Sequence, residues 1–234
     1  MDYNILILSA GRRVELVEHF KNARDQLRIK GNIVAVDISD LAPAIYFADK
    51  YYLIPRISDE KYLDSIIEIC NKENISLIVP TIDTELLKLA ENRHYIEEKT
   101  SSKILFSRTE VIKICRDKAQ TQQFFEKNGF GVPRLYTKED IEAKNYTFPL
   151  FIKPSDGSSS INTFKVKNEA ELQFFLNYVD KPLVQEYIEG TEFSVDTFCD
   201  FDSKPISIVV RRRIATRSGE ITKGEIVKDE ALQS

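Results

Sequence analysis

From Ile5 to Asn92 short apolar runs alternate with amphipathic stretches, a pattern that predicts βαβ units around a parallel sheet. Ile5-Leu6-Ile7-Leu8 reads as a buried strand and residues 14–27 as a helix. Ile33-Val34-Ala35-Val36, closed by Asp37, is a second strand, and Tyr51-Tyr52-Leu53-Ile54, stopped by Pro55, is a third. A helix follows over 59–71, because Tyr62, Leu63, Ile66, Ile67 and Cys70 recur at i, i+3, i+4 spacing. Leu77-Ile78-Val79-Pro80 is a fourth strand and 83–92 another helix, so the first half is an open α/β domain.

The pattern changes from Ser107. Short helices are predicted over 109–115 and 118–127, the second ended by Asn128-Gly129. Strands at 150–153 and 162–166, a helix at 170–178 and a strand at 183–188 follow an extended segment opened by Val132-Pro133. Residues 191–199 place Phe193, Val195 and Thr197 on one side and Glu192, Ser194 and Asp196 on the other. They pair with 206–214 across the turn 200–203, which predicts an α+β second half with antiparallel strands.

Composition narrows the function classes. The 234 residues are 42% hydrophobic and 30% charged, a soluble globular profile with room for one or two domains. The net charge is −4, with 33 basic and 37 acidic residues interspersed, so no nucleic-acid groove and no polybasic membrane anchor is expected. Cys70, Cys115 and Cys199 stand far apart and the only histidines are His19 and His94, which argues against zinc or iron–sulfur ligation and for reduced, mostly packed thiols. The chain enters its first strand without a basic leader, and no apolar run reaches the ~20 residues of a membrane span. A cytoplasmic location is the expectation.

Candidate chemistry centres on Pro149-Leu150-Phe151-Ile152-Lys153-Pro154-Ser155-Asp156-Gly157-Ser158-Ser159-Ser160. A lysine closing an apolar strand is costly without an anion or a route to water, and a small-residue loop can lay N–H groups and hydroxyls over a polyphosphate. No G-x-x-x-x-G-K-[ST] occurs, and the lysine precedes the loop. The other candidate turn is Ser9-Ala10-Gly11-Arg12-Arg13, at the first strand-to-helix connection, where open α/β sheets bind ligands. It holds one glycine where a dinucleotide fingerprint asks for three; the plainer reading is that Gly11 permits a tight turn and Asp37 caps the next segment.

Four pieces stand in a fixed order: Asp117-Lys118; Gly129-x-Gly131-Val132-Pro133; the Lys153 strand with its loop; and Val184-Gln185-Glu186-Tyr187-Ile188-x-Gly190-x-Glu192-Phe193-Ser194-Val195-Asp196. Together they resemble the ATP-grasp superfamily, in the branch of the carbamoyl-phosphate synthase large subunit. The α/β half, with Val79-Pro80-Thr81-x-Asp83-x-Glu85, is similar to the Rossmann-like pre-ATP-grasp domain of that branch. The resemblance implies a pre-ATP-grasp domain over 1–106, a small lobe with helical linker and phosphate loop over 107–183, and the first part of a large lobe over 184–234.

The same resemblance implies roles. Lys118 and Lys153 would contact the phosphates of ATP, and the loop of Ser155, Asp156, Gly157, Ser158, Ser159 and Ser160 would close over them and exclude water. Gln185, Glu186, Tyr187 and Ile188 would form the strand that reads adenine, with Ile188 and Ile152 against the faces of the base, and Glu192 would accept the ribose hydroxyls. Many members carry an acid at the position of Gln185; an amide oxygen still accepts from the adenine amino group. In Arg211-Arg212-Arg213, Arg212 shares a strand face with Ile206, Ile208, Val210 and Ile214, a lone cation that suggests a buried ligand or partner. One of the arginines, with Arg211 and Arg213 as the catalytic candidates, would clamp the γ-phosphate or a substrate carboxylate; the alternative is a solvated edge strand. Arg12, Thr81 and Asp83 are further substrate-site candidates.

The family holds Mg²⁺ with an acid and a later Glu-x-Asn pair, and Glu225, Asp229 and Glu230 do not match that pattern. The expectation is therefore an incomplete large lobe without metal ligands, in a chain that is either a fragment or the product of an interrupted gene, or one completed by a second copy or a partner polypeptide. Three readings stay open: an ATP-dependent carboxylate–amine ligase acting through an acyl phosphate on a small carboxylate substrate, a non-catalytic nucleotide-binding fragment, and a nicotinamide oxidoreductase.

Overall fold

The computed structural model describes residues 2–156, 160–217 and 219–233. The chain divides into two compact units, Met1–Lys113 and Ile114–Ser234. The first runs β1 (Asn4–Ile7), α1 (Val14–Gln26), β2 (Ile33–Asp37), a 3₁₀ turn at Pro43–Phe47, β3 (Lys50–Leu53), α2 (Tyr62–Glu73), β4 (Ile75–Val79), α3 (Asp83–Glu91), α4 (Arg93–Lys99) and β5 (Lys103–Ile104). Helix α5 (Thr109–Arg116) crosses the division. The strands form one parallel sheet in the order β3-β2-β1-β4-β5.

Why the strands read as unbroken apolar runs is visible in their packing. Alternate residues go to opposite faces, and both faces are buried. Leu6, Val34 and Val36 enter a core with Tyr62, Ile66 and Leu89, while Ile7, Ile33 and Ala35 enter a second core with Val17 and Ile45. Each fully buried isoleucine or leucine contributes about 1.5–3 kcal/mol. Glu73 closes the far end of this sheet: its carboxylate accepts from the Lys50 ammonium at 2.7 Å and from the Tyr52 hydroxyl. Burial pushes the Glu73 pKa up, but those two hydrogen bonds outweigh it and hold it below the ordinary carboxylate range.

The second unit continues with α6 (Lys118–Lys127), β6 (Leu135–Tyr136), α7 (Lys138–Glu142), β7 (Leu150–Pro154), β8 (Phe164–Val166), α8 (Glu169–Tyr178) and β9 (Pro182–Glu186). Then come β10 (Phe193–Cys199), β11 (Pro205–Arg217), β12 (Glu220–Val227) and α9 (Glu230–Gln233). One antiparallel sheet has the order β6-β9-β7-β8 and another the order β10-β11-β12. Leu150, Ile152, Val166 and Val184 face a core with Leu172 of α8. Strand β12 has no counterpart in the sequence reading, because Gly224 and the charged Lys223 and Glu225 interrupt its apolar alternation.

Two expectations need correction. Of the three thiols only Cys70 is buried, its pKa pushed up to about 11 by desolvation, whereas Cys199 is half-buried and Cys115 exposed. Arg212 is no buried lone cation either: it is half-exposed and ion-paired with Glu225, which faces it across the β11–β12 ladder. No helix among the described residues is long and apolar enough to cross a membrane.

Candidate functional site

The site in the second unit starts at the first turn of α6. Asp117 caps the helix, its Oδ1 accepting from the N–H groups of Ala119 and Gln120 at 2.9 and 3.0 Å. Lys118 then bonds to the end of β7 twice: its backbone N–H donates to the Ser155 carbonyl at 3.2 Å, and its Nζ donates to the Pro154 carbonyl at 3.0 Å. The loop leaving β7 is held at its base, where the Ser155 N–H donates to the Lys181 carbonyl and Lys181 Nζ meets Asp156 at 3.2 Å. Gly157, Ser158 and Ser159 lie outside the described residues; Ser160 adopts a left-handed φ of 52° and its carbonyl accepts from Thr163.

Lys153 reaches the same place from β7. Burial lowers its pKa, and the positive charge of Lys118 lowers it further. Burial lowers the Lys118 pKa as well, with Asp156 pulling the other way and Arg116 adding to the fall. No acid holds Lys153 among the described residues. Two partly desolvated ammonium groups within Coulombic range of each other favour a polyanion between them.

Alternation along β7 and β9 decides what else is present. Phe151 lies opposite Gln185 and Ile152 opposite Val184, so Phe151, Lys153 and Gln185 share one face while Ile152 and Val184 share the other. Ile152 is 0% exposed within the α8 core and cannot stack on a base, which corrects its expected role. Gln185 is only 8% exposed, and its Oε1 has no hydrogen-bond partner among the described residues. An unpaired buried acceptor costs about 1–3 kcal/mol unless a ligand donor satisfies it. Lys118, Lys153 and Gln185 line one cavity of about 290 Å³ with Thr121, Gln122, Phe125 and Pro133.

Other candidates sit elsewhere. The Glu186 carboxylate accepts from the Arg134 N–H at 3.0 Å, Tyr187 carries the Lys165 ammonium 3.8 Å from its ring centroid, and Ile188 is 57% exposed. None of these three lines the cavity. Each arginine of the β11 run has an acidic partner: Arg211 with Asp196, Arg212 with Glu225, and Arg213 with Glu192 at 3.1 Å. Beyond Lys118, the cavity wall from α6, made by Thr121, Gln122 and Phe125, was missed by sequence reasoning. Its signal was present, since Lys118, Thr121, Gln122 and Phe125 follow i, i+3, i+4, i+7 spacing on one helix face.

In the first unit the β1–α1 turn is tightly made. Gly11 has φ 54°, and its N–H donates to Asp37 Oδ2 at 2.8 Å, while the Ser39 N–H donates to Asp37 Oδ1. Asp37 thus serves the turn, and its oxygens are committed to main-chain donors. Thr81 is structural as well, its hydroxyl donating to the Leu8 and Ser9 carbonyls at 2.8 Å. A cavity of about 590 Å³ opens here; Gly11, Arg13, Ile82 and Thr84 line it, and Arg12, Thr81 and Asp83 do not. Among the described residues no group of three or more His, Cys, Asp or Glu side chains is placed to hold a metal ion.

Comparison with known proteins adds independent findings. Residues 5–104 match the family described as PylC-like, N-terminal domain, and residues 115–234 match the ATP-grasp domain. The carbamoyl-phosphate synthase of Methanobrevibacter smithii is 24% identical over 153 residues, which is 63% of this chain and 40% of that protein. The formate-dependent phosphoribosylglycinamide formyltransferase of Methanococcus maripaludis is 28% identical over 194 residues, 79% of this chain and 46% of that one. The crystal structure of N5-carboxyaminoimidazole synthetase from Staphylococcus aureus complexed with ADP superposes with a TM-score of 0.70 at 16% identity, covering 96% of this chain and 58% of the other. The chain therefore spans less than half the length of those two curated relatives.

Proposed function

This chain belongs to the ATP-grasp family, and on that premise we propose that the whole protein is an ATP-dependent ligase that joins a small carboxylate to a nitrogen nucleophile. The observation that carries the nucleotide part is the cavity in which two desolvated lysines, Lys118 and Lys153, meet the unpaired acceptor of Gln185. The lysines offset the phosphate charge, and Gln185 Oε1 accepts from the adenine amino group. Glu192 takes the ribose hydroxyls.

In the reaction the carboxylate oxygen attacks the γ-phosphorus in line, the bond to the β-bridging oxygen breaks, and ADP leaves with that electron pair. The amine then attacks the acyl phosphate carbon, inorganic phosphate departs, and the proton on nitrogen is lost to solvent. The protein's share is positioning and charge neutralisation, with no side-chain nucleophile. Arg211 or Arg213 reaches the γ-phosphate or the carboxylate by exchanging its present acidic partner. Mg²⁺ is part of this reading for the whole protein, with liganding acids supplied from outside these residues by a second copy or another polypeptide segment. The small lobe over 107–183, the start of the large lobe at 184 and a cytoplasmic location belong to the same reading.

The test is thermal unfolding with and without millimolar ATP. A rise in midpoint that Lys153→Ala abolishes supports the reading; no rise, or an equal rise in the variant, refutes it.

A further inference from the structure

A cavity of about 550 Å³ lies in the second unit, on the face of the small sheet turned away from the nucleotide cavity. Strand β6 pairs Tyr136 with Val184 of β9, and Val184 sits opposite Ile152 of β7, so these side chains share the face that looks onto α8, whereas Gln185 takes the other. Helices α7 and α8 form the walls. Lys138, Ile141 and Glu142 of α7, and Glu169, Gln173 and Leu176 of α8, each follow the three- and four-residue spacing of a single helix face. The volume is that of a small-molecule site.

Tyr136, Ile141, Leu176, Pro182 and Val184 give the cavity an apolar floor. Tyr136, Ile141 and Leu176 pack on the core of the small sheet but are only partly buried, which leaves apolar surface that a ligand would take out of water.

The charged groups of the lining are not equivalent. Glu169 is committed: its Oε2 accepts from the Tyr146 hydroxyl at 2.6 Å and its Oε1 from the Gln173 amide at 3.0 Å. Those two bonds hold its pKa below the ordinary carboxylate range against the upward pull of burial, and the charge of Lys144 adds to the fall. Glu142 pairs with Lys138 at 3.7 Å, both side chains mostly exposed and the contact exchangeable. The Lys144 side chain makes no hydrogen bond or ion pair among the described residues.

The backbone at Lys144 would suit a different residue. It closes α7 with φ 55°, its N–H donating to the Ile141 carbonyl at 3.2 Å and the Asn145 N–H to the Asp140 carbonyl at 2.8 Å, the helix end at which glycine fits without strain. A lysine held in the left-handed region adds an ammonium to the cavity lining. A cationic ligand would find both carboxylates already paired, and a dianion would be repelled by them, whereas a single carboxylate gains Lys144 without displacing any contact.

We propose that this cavity binds a monocarboxylate with a compact apolar body, a branched alkyl chain or one aryl ring, its carboxylate on Lys144 with Lys138 as the second cation and its body on Tyr136, Ile141 and Leu176. The site stands on this cavity alone. The small sheet separates it from Lys153, so a ligand here is not the reacting carboxylate of the function proposed above.

Isocaproate and benzoate are the probes, titrated separately into the full chain without nucleotide while the amide NMR shifts of the protein are followed. Saturable shifts centred on Ile141, Lys144, Leu176 and Val184 are expected from at least one of them. The neutral amide, the amine of the same skeleton and acetate should each bind at least about fivefold more weakly, as should the Lys144→Gly variant, whereas Lys144→Arg should keep most of the affinity. Glycine accepts the φ at that position, so Lys144→Gly should show an equal or higher thermal midpoint, and its lost affinity then reports the missing ammonium. Lys153→Ala should leave the affinity unchanged. No saturable binding of either probe, equal binding of the neutral amide or of acetate, an affinity unchanged in Lys144→Gly, or shifts centred on Lys118 and Lys153 would each overturn the proposal.

Discussion

Arg213 and Glu192 are joined twice, by the Arg213 N–H donating to the Glu192 carbonyl at 2.8 Å and by guanidinium Nε lying 3.1 Å from the carboxylate. The backbone bond fixes the pair in register, whereas the ionic contact is exchangeable, because the Glu192 side chain is 68% exposed. A double-mutant cycle with Glu192→Ala and Arg213→Ala should return a coupling energy of only about 0.2–1 kcal/mol in urea unfolding. A coupling above about 2 kcal/mol would mean the pair is too strong for Glu192 to be given up to a ribose.

Lys153→Met should raise the stability of the nucleotide-free protein by about 1 kcal/mol, since it removes a half-buried ammonium that faces another cation. The pH dependence has a definite sign. The folded-state pKa lies below the ordinary lysine value, so the penalty is full at neutral pH and fades as pH rises through the folded pKa towards that ordinary value. The stability difference between variant and wild type should therefore shrink in the alkaline range, as followed by denaturant unfolding at several pH values.

Gln185→Leu should leave apo stability unchanged or slightly higher, because it deletes an acceptor that is already unpaired. Its ATP affinity should fall about tenfold or more, with adenine and guanine nucleotides becoming harder to tell apart. Fluorescent-nucleotide displacement by ATP and GTP measures both; an unchanged ATP-to-GTP ratio would remove Gln185 from adenine recognition.

Acid should loosen the first unit through Glu73 and Asp49, both held below the ordinary carboxylate range. For Asp49, burial again acts upward and is outweighed by the Ile33 N–H and the Lys21 and Arg24 charges. Each contributes stability that is present above the unfolded-state pKa and lost as pH falls through the folded-state value. Tyr52→Phe, which strips one donor from Glu73, should cost about 0.5–1.5 kcal/mol at neutral pH and less below the carboxylate range. Circular dichroism melts at both ends of that range check the sign.

The parallel sheet was legible because Leu6 and Ile7, or Val34 and Ala35, are apolar on both faces, and a run of that kind bounded by turn residues leaves little choice. Helix α6 was legible to the residue, since Asp117 and Asn128 mark its two ends. The roles of Asp37 and Glu85 were harder to read. Whether a carboxylate waits for a ligand or holds a loop depends on contacts made across 26 and 76 residues of sequence, at Gly11 and Ser9 respectively. The lone-cation reading of Arg212 failed for a related reason: strand alternation predicted which way Arg212 points, but only β12 supplies Glu225 opposite it.

Strand β9 gives Val184 to the core and Gln185 to the cavity, one residue apart. A single inserted or deleted residue between Pro182 and Gln185 would therefore exchange the two audiences, sending an amide into hydrocarbon and a valine towards the lysines. Across natural variants this segment should accept substitutions in place while keeping its length fixed, and lineages that lose nucleotide binding through a length change here should lose the small sheet with it.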